Sequence, residues 1–213
     1  MKATSLILIL LACSIITHAQ LPRKNSYLVG VLHQKNINVH GVGVALFSGF
    51  DDEDRNAQTN GIRLEAFGMG IVVPLIPKSP VSETEEEFEK SMSVPPSERI
   101  NGLNLSPFGT VCDCVTNGIS AGFIGQIGRT VNGISASVMM NFAERHNGLQ
   151  VAMFNESYAM GGIQLGLSNS GVRARGLQIG LVNHSKDLRG LQLGLWNVNQ
   201  KRKMPILNWS FSK

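Results

Sequence analysis

Two adjoining stretches, Gly176-Leu177-Gln178-Ile179-Gly180-Leu181-Val182-Asn183 and Gly190-Leu191-Gln192-Leu193-Gly194-Leu195-Trp196-Asn197, decide the fold. They are two copies of one glycine-led octad. Working outward, six such segments begin at Gly118, Gly133, Gly148, Gly162, Gly176 and Gly190, in steps of 15, 15, 14, 14 and 14 residues. Gly102 precedes the first by 16 residues, and looser copies begin at Gly41 and Gly61. An asparagine closes the unit at Asn141, Asn155, Asn169, Asn183 and Asn197. A fixed period of this kind marks a tandem array in which each copy is one structural unit.

Inside the unit the period is two. Leu191, Leu193 and Leu195 share one side while Gln192 and Gly194 share the other, and Leu177, Ile179 and Leu181 repeat the arrangement. So do Ile163, Leu165 and Leu167, and the longest apolar side runs through Ile134, Ala136, Val138, Met140 and Phe142. Each unit therefore reads as one strand, expected to hide its aliphatic side from water. Helix is disfavoured, because a glycine inside most units costs about 1 kcal/mol relative to alanine. The intervening segments, such as His184 to Arg189 and Ser170 to Arg175, carry at most one or two apolar residues and read as turns. That favours an all-β antiparallel meander closed into a barrel, which removes the sheet edges. The alternative is a parallel β-solenoid. Every unit has the same polarity of pattern, and identical asparagines in register suit parallel stacking.

The octads at Gly176 and Gly190 resemble a family of bacterial surface-repeat proteins built from Gly-x-Gln-x-Gly-x-x-Asn motifs. The resemblance covers roughly residues 102–211. It implies an exported, surface-associated protein and assigns no chemistry. The ending Pro205-Ile206-Leu207-Asn208-Trp209-Ser210-Phe211 is similar to that family's close. Its terminal aromatic also resembles the assembly signal of outer-membrane barrels, although Ser212 and Lys213 follow it. A small outer-membrane barrel with lipid as partner is the resulting expectation. An adhesin or binding module for an unknown surface ligand is the alternative.

Export is expected from the N-terminus as well. Lys2 precedes an apolar run, Leu6 to Ile16, too short to span a bilayer as a helix, and Thr17-His18-Ala19 offers a cleavage site before Gln20. A competing reading makes Leu10-Leu11-Ala12-Cys13 a lipobox. The rest, 20–213, reads as a single repeat domain interrupted at about 77–98. Pro77, Pro80, Pro95 and Pro96 bracket an acidic stretch there, and Ser82 with Glu85 fits the capping box of a short surface helix.

Nothing in the sequence names a catalytic, cofactor-binding or metal-ligating residue. Gly118-Ile119-Ser120-Ala121-Gly122 matches the hydrolase elbow, but Ser120 fills the slot that Gln150, Gln164, Gln178 and Gln192 hold elsewhere. His33, His40, His146 and His184 lack metal-ligand spacing, and His146 and His184 fall in expected turns. Cys112 and Cys114 read as two small packed thiols, with a redox or metal role as the alternative. Three sequons, at Asn155, Asn183 and Asn208, would stay unused in a bacterium. A net charge of +4 with scattered cations argues against nucleic acid, and Lys201-Arg202-Lys203 reads as a solvated turn before a lipid or polyanion contact. With 43% hydrophobic residues, 23 glycines and 6% aromatics, the chain suits many short strands and tight turns.

Overall fold

The structure is a computed structural model and describes residues 22–46 and 55–211. The expected signal segment, its cleavage site before Gln20 and the lipobox at Cys13 lie outside the described residues. The described chain forms one open sheet of eleven strands in sequence order. These are β1 (Lys24–Val31), β2 (Ile37–Ala45), β3 (Ala57–Glu65), β4 (Glu98–Ser106), β5 (Cys114–Gly122), β6 (Gly125–Ala136), β7 (Met140–Val151), β8 (Phe154–Leu165), β9 (Ser168–Ile179), β10 (Val182–Val198) and β11 (Lys203–Ser210). Every neighbouring pair is parallel except β10 with β11. The fold is thus a parallel β-solenoid, and the expected antiparallel barrel is corrected: β1 and β11 stand at opposite ends of the order and do not pair.

The glycine of each unit sets the register. Gly148, Gly162, Gly176 and Gly190 are partners on successive rungs, and the looser copies at Gly41 and Gly61 join the same column. At Gly176 φ is +138°, and a Cβ there would lie 2.0 Å from the carbonyl oxygen of Gly162. Only glycine meets both demands, a left-handed backbone and a close approach to the coil below. At the first described rung the corresponding residue is Leu28, with φ +72°, and among the described residues no coil precedes it.

The barrel expectation rested on the segments between octads lacking a second apolar wall. Those segments are strand rather than turn: His184 pairs with Ser170, Asp187 with Arg173 and Leu188 with Ala174. They do form the second wall, and it is largely polar. The interior holds Asn, then Ser, Ala or Gly, then one apolar residue, then Gln, as in Asn155, Ser157, Met160 and Gln164, all buried. The amide side of each unit therefore faces in, and the aliphatic side expected to be hidden from water faces out. Gln150, Gln164, Gln178 and Gln192 are wholly buried, whereas Leu191 and Leu193 on the aliphatic side are exposed.

Register makes that polar interior affordable. Parallel in-register stacking puts identical amides one strand spacing apart, so each can donate to the next. Gln164 donates to Gln150 (2.9 Å), Gln178 to Gln164 (2.7 Å) and Gln192 to Gln178 (2.8 Å). The second amide hydrogen of Gln192 goes to the Val198 carbonyl at 3.0 Å. Asn155 donates to Asn169 (2.9 Å), Asn169 to Asn183 (2.8 Å) and Asn183 to Asn197 (2.7 Å). A buried amide left without partners would cost about 1–3 kcal/mol, so each ladder stands or falls with its register.

Both ends are finished differently from the middle. Leu32, in the turn after β1, is fully buried against Ile37, Val39, Ala45 and Ala57 and plugs the N-terminal end. At the other end the Asn199 side chain accepts from the backbone of Lys201 (2.9 Å) and Arg202 (3.0 Å), reversing the chain into β11. Gln200 then pairs its amide with both the N–H (2.9 Å) and the carbonyl (3.0 Å) of Leu188, imitating one more strand. The terminal residues that resembled a barrel signal therefore form an antiparallel cap on the last coil.

Candidate interaction surface

Two columns of outward side chains run the length of the solenoid. The residue after each rung glycine gives Val42, Ile62, Leu103, Ile119, Ile134, Leu149, Ile163, Leu177 and Leu191; two residues on lie Val44, Leu64, Leu105, Ala121, Ala136, Val151, Leu165, Ile179 and Leu193. The caps continue both, through Val29 and Val31 of β1 and through Trp209 and Leu207 of β11. Eleven rungs therefore carry two apolar columns with no charged or polar residue in either. Stacking hides the sides of each residue and leaves its outer edge: Ile119, Ile134, Ile163, Ile179, Leu191 and Leu193 are each 37–38% exposed. A third row, Phe123, Val138, Leu167, Leu181 and Leu195, stands beyond the next bend and is also exposed.

Between the second column and this third row the backbone residues are small, and a trench follows. One section, of about 860 Å³, is walled by Leu64, Leu105, Phe123 and Val138 with Ala121 and Ala136 beneath. Another, of about 630 Å³, runs past Leu165, Leu181 and Leu193 over Gly166, Gly180 and Gly194. On the opposite margin lies an outer amide ladder. Asn101 donates to Asn60, Asn117 to Asn101, Asn132 to Asn117 and Asn147 to Asn132, each at 2.8 Å.

The flank on the far side of the glycine column is covered by the chain itself. Residues 66–97 leave the coil, a longer excursion than the expected 77–98, and contain a 3-10 segment (Met69–Leu75) and helix α1 (Glu85–Ser93). The capping box is made by Thr84 and Glu87 rather than Ser82 and Glu85. Ser82 instead donates through its N–H (3.1 Å) and hydroxyl (2.8 Å) to Glu144, whose carboxyl burial pushes its pKa above the usual value. Phe88 stacks on Tyr158 with centroids 4.3 Å apart, and Val81, Phe142 and Val172 pack around them. Glu85 accepts from the Tyr158 hydroxyl at 2.7 Å and pairs with Arg173; chiefly that hydroxyl holds its carboxyl below the usual range.

The remaining residues singled out by sequence take structural places. Ser120 is buried in the inner column between Asn104 and Ser135, and it accepts from Asn104 at 2.9 Å. Cys112 and Cys114 are joined in a disulfide, not packed as free thiols. Cys112 lies before β5, the chain bends at Asp113, and the bridge packs on Ile100. His146 lies within β7, wholly buried with neither ring nitrogen hydrogen-bonded; burial lowers its pKa to about 4. The expected solvated turn is corrected for it, whereas His184 is exposed but within β10. Asn155, Asn183 and Asn208 are buried, which closes the three sequons to modification in the folded state.

Sequence reading missed one buried charge cluster. Arg63 sits in the inner column where glutamine stands elsewhere, and donates to Glu98 at 2.9 Å and to Asn104 at 2.9 Å. It also pairs with Glu65 at 3.4 Å. Burial opposes its charge, but the Glu98 and Glu65 carboxylates outweigh burial and raise its pKa. The only signal was an arginine at a glutamine position in a weak copy. Among the described residues no three His, Cys, Asp or Glu side chains gather as a metal site, and no helix is long and apolar enough to cross a membrane. Comparison with family models, curated proteins and solved structures finds no match for the chain.

Proposed function

We propose that this protein is an exported, non-enzymatic β-solenoid module of a bacterial cell envelope that works by binding through its bare aliphatic face. The observation that carries the reading is the orientation of the repeat. Polar side chains fill the interior, and two unbroken apolar columns are left facing out. Contiguous exposed apolar surface of this extent marks an interaction site in a protein that remains in solution. Three further observations support the reading. Apolar residues 6–16 have the form of an export signal. The Cys112–Cys114 disulfide suits an oxidising compartment. The octads resemble exported surface-repeat proteins.

The test is cell fractionation of the intact protein beside a variant carrying Ile134→Ser, Leu149→Ser and Ile163→Ser. Retention of the wild type with the envelope and release of the variant, correctly folded, into the soluble fraction is the expected result. Recovery of the wild type in the cytoplasm, or equal retention of both proteins, would overturn the reading.

A further inference from the structure

We propose that the bare aliphatic face is closed by the same face of a second copy, in a two-fold pair of packed sheets. The inference rests on the binding role argued above and names the partner. Its first support is area. Ten spacings of about 4.8 Å make the strip about 48 Å long, and two columns with their side chains make it about 15 Å wide. That is on the order of 700 Å² per copy and 1,400 Å² for the pair, within the range of about 1,600 ± 400 Å² for stable complexes.

Shape points the same way, and so does the neutrality of the margin over its middle rungs. The face presents its own ridge, the column through Leu165, Ile179 and Leu193, beside its own trench over Gly166, Gly180 and Gly194. A two-fold operation sets the ridge of each copy against the trench of the other, which is what an isologous contact requires. Surfaces that lie on lipid carry lysine, arginine or aromatic residues along their margins. Here five successive rungs of one margin, Asn60 to Asn147, carry a neutral amide ladder whose members already bond to one another; Arg175, paired with Asp187, and Arg189 continue the column at one end, and His40 and Tyr27 at the other.

Other routes of association are closed at the β11 end and over one flank. The C-terminal edge is capped by β11, which contains Pro205 and so lacks one donor for a further strand. Gln200 occupies the β10 edge at Leu188. The flank before the glycine column is under α1. Face-to-face pairing is the mode that remains for so much aliphatic surface.

The experiment is sedimentation velocity of the purified protein in detergent-free buffer, beside Ile163→Lys and the milder Ile163→Ser, with flotation on phosphatidylcholine vesicles in parallel. Far-ultraviolet dichroism confirms that each variant keeps its strands. The wild type is expected at twice the chain mass and the variants at the chain mass, with no protein floating. A wild type that stays monomeric at its highest soluble concentration, or a dimer that both folded variants leave intact, overturns the pairing. A monomer that floats with vesicles assigns the face to lipid instead, overturning the pairing while the envelope role stands. Loss of that role is read separately, in the fractionation.

Discussion

The two flanks of this solenoid meet water in opposite ways. Before the glycine column, outward positions hold mixed residues, Phe142, Glu144, Tyr158 and Arg173 among them, and α1 lies over them with Phe88 against Tyr158. Beyond the glycine column they hold aliphatic residues almost without exception, and no segment of the described chain lies over them. One flank has a specific partner built into the same chain, with stacked rings, an ion pair and cation–π contacts from Arg145 and Arg173. The other repeats one residue class at every rung. A surface that varies from rung to rung can fix a single docked segment in place. A uniform one offers area and flatness, which suits a partner that is itself periodic.

The largest expected effect is on the covered flank. Phe88 is almost fully buried between Tyr158 and Val81, so Phe88→Ala removes the anchor of α1 and leaves a cavity. A loss of about 3–5 kcal/mol is expected for a buried Phe→Ala change. Chemical denaturation measures it, and an environment-sensitive dye should report a second apolar patch as the helix lifts. Loss below about 1 kcal/mol would mean that α1 merely rests on the surface, and the contrast between the flanks would weaken.

An intermediate effect lies beneath the covered flank. His146 is buried without a hydrogen-bond partner, and its pKa falls from 6.5 to about 4 on folding. The unfolded chain therefore takes up a proton between those values that the folded chain refuses. Stability is full above pH 6.5, declines as the pH drops, and reaches a deficit of about 3 kcal/mol near pH 4. His146→Leu should remove that slope. Glu144, raised by burial, titrates in the opposite sense, so the difference between wild type and His146→Leu isolates the imidazole. Parallel pH profiles for the two proteins would show that the ring reaches water.

Much of the architecture is legible in the octads themselves. Glycine spacing gives the rung, the period of two gives the strand, and identical asparagines in register give the parallel alternative. What they leave open is which side faces in, because a lipid-facing barrel with a polar lumen and a water-facing sheet with buried leucines share one pattern. Glutamine is kept outside only when a buried amide has no assured partner. At Gln178 the partners are Gln164 and Gln192, on the adjacent coils, and a parallel register guarantees them. A meander would give alternate strands opposite directions and break that ladder. Strand direction and side-chain orientation are thus linked, because the parallel register is what lets the amides fill a packed interior rather than line a lumen. The segments expected as turns, such as His184 to Arg189, form strand for the same reason: Ser185 is buried in an inner wall that is itself polar. For the interaction surface, every outward residue was visible in the sequence as an apolar stripe. Which side of the wall it faced was not. The outer ladder from Asn60 to Asn147 shows in the sequence only as a polar residue before the glycine, because the asparagine gives way to Gly161, Arg175 and Arg189 in the clearest units.

The smallest expected effect in the isolated chain is on the bare flank, and it sharpens the comparison most. Ile163 already shows 38% of its surface to solvent, held between Leu149 and Leu177 on neighbouring rungs. Ile163→Ser should cost a single chain about 1 kcal/mol, since only partial burial is lost. Association changes that value in a predictable direction. A partner that binds only the folded state stabilises it by mass action, so the wild-type denaturation midpoint should rise with protein concentration. The midpoint of Ile163→Ser should stay fixed across the same dilution series, and Phe88→Ala, on the other flank, should keep the concentration dependence of the wild type at a lower overall stability. A wild-type midpoint independent of concentration would mean that the aliphatic columns find no second copy, and the two flanks would then differ in composition without differing in partnership.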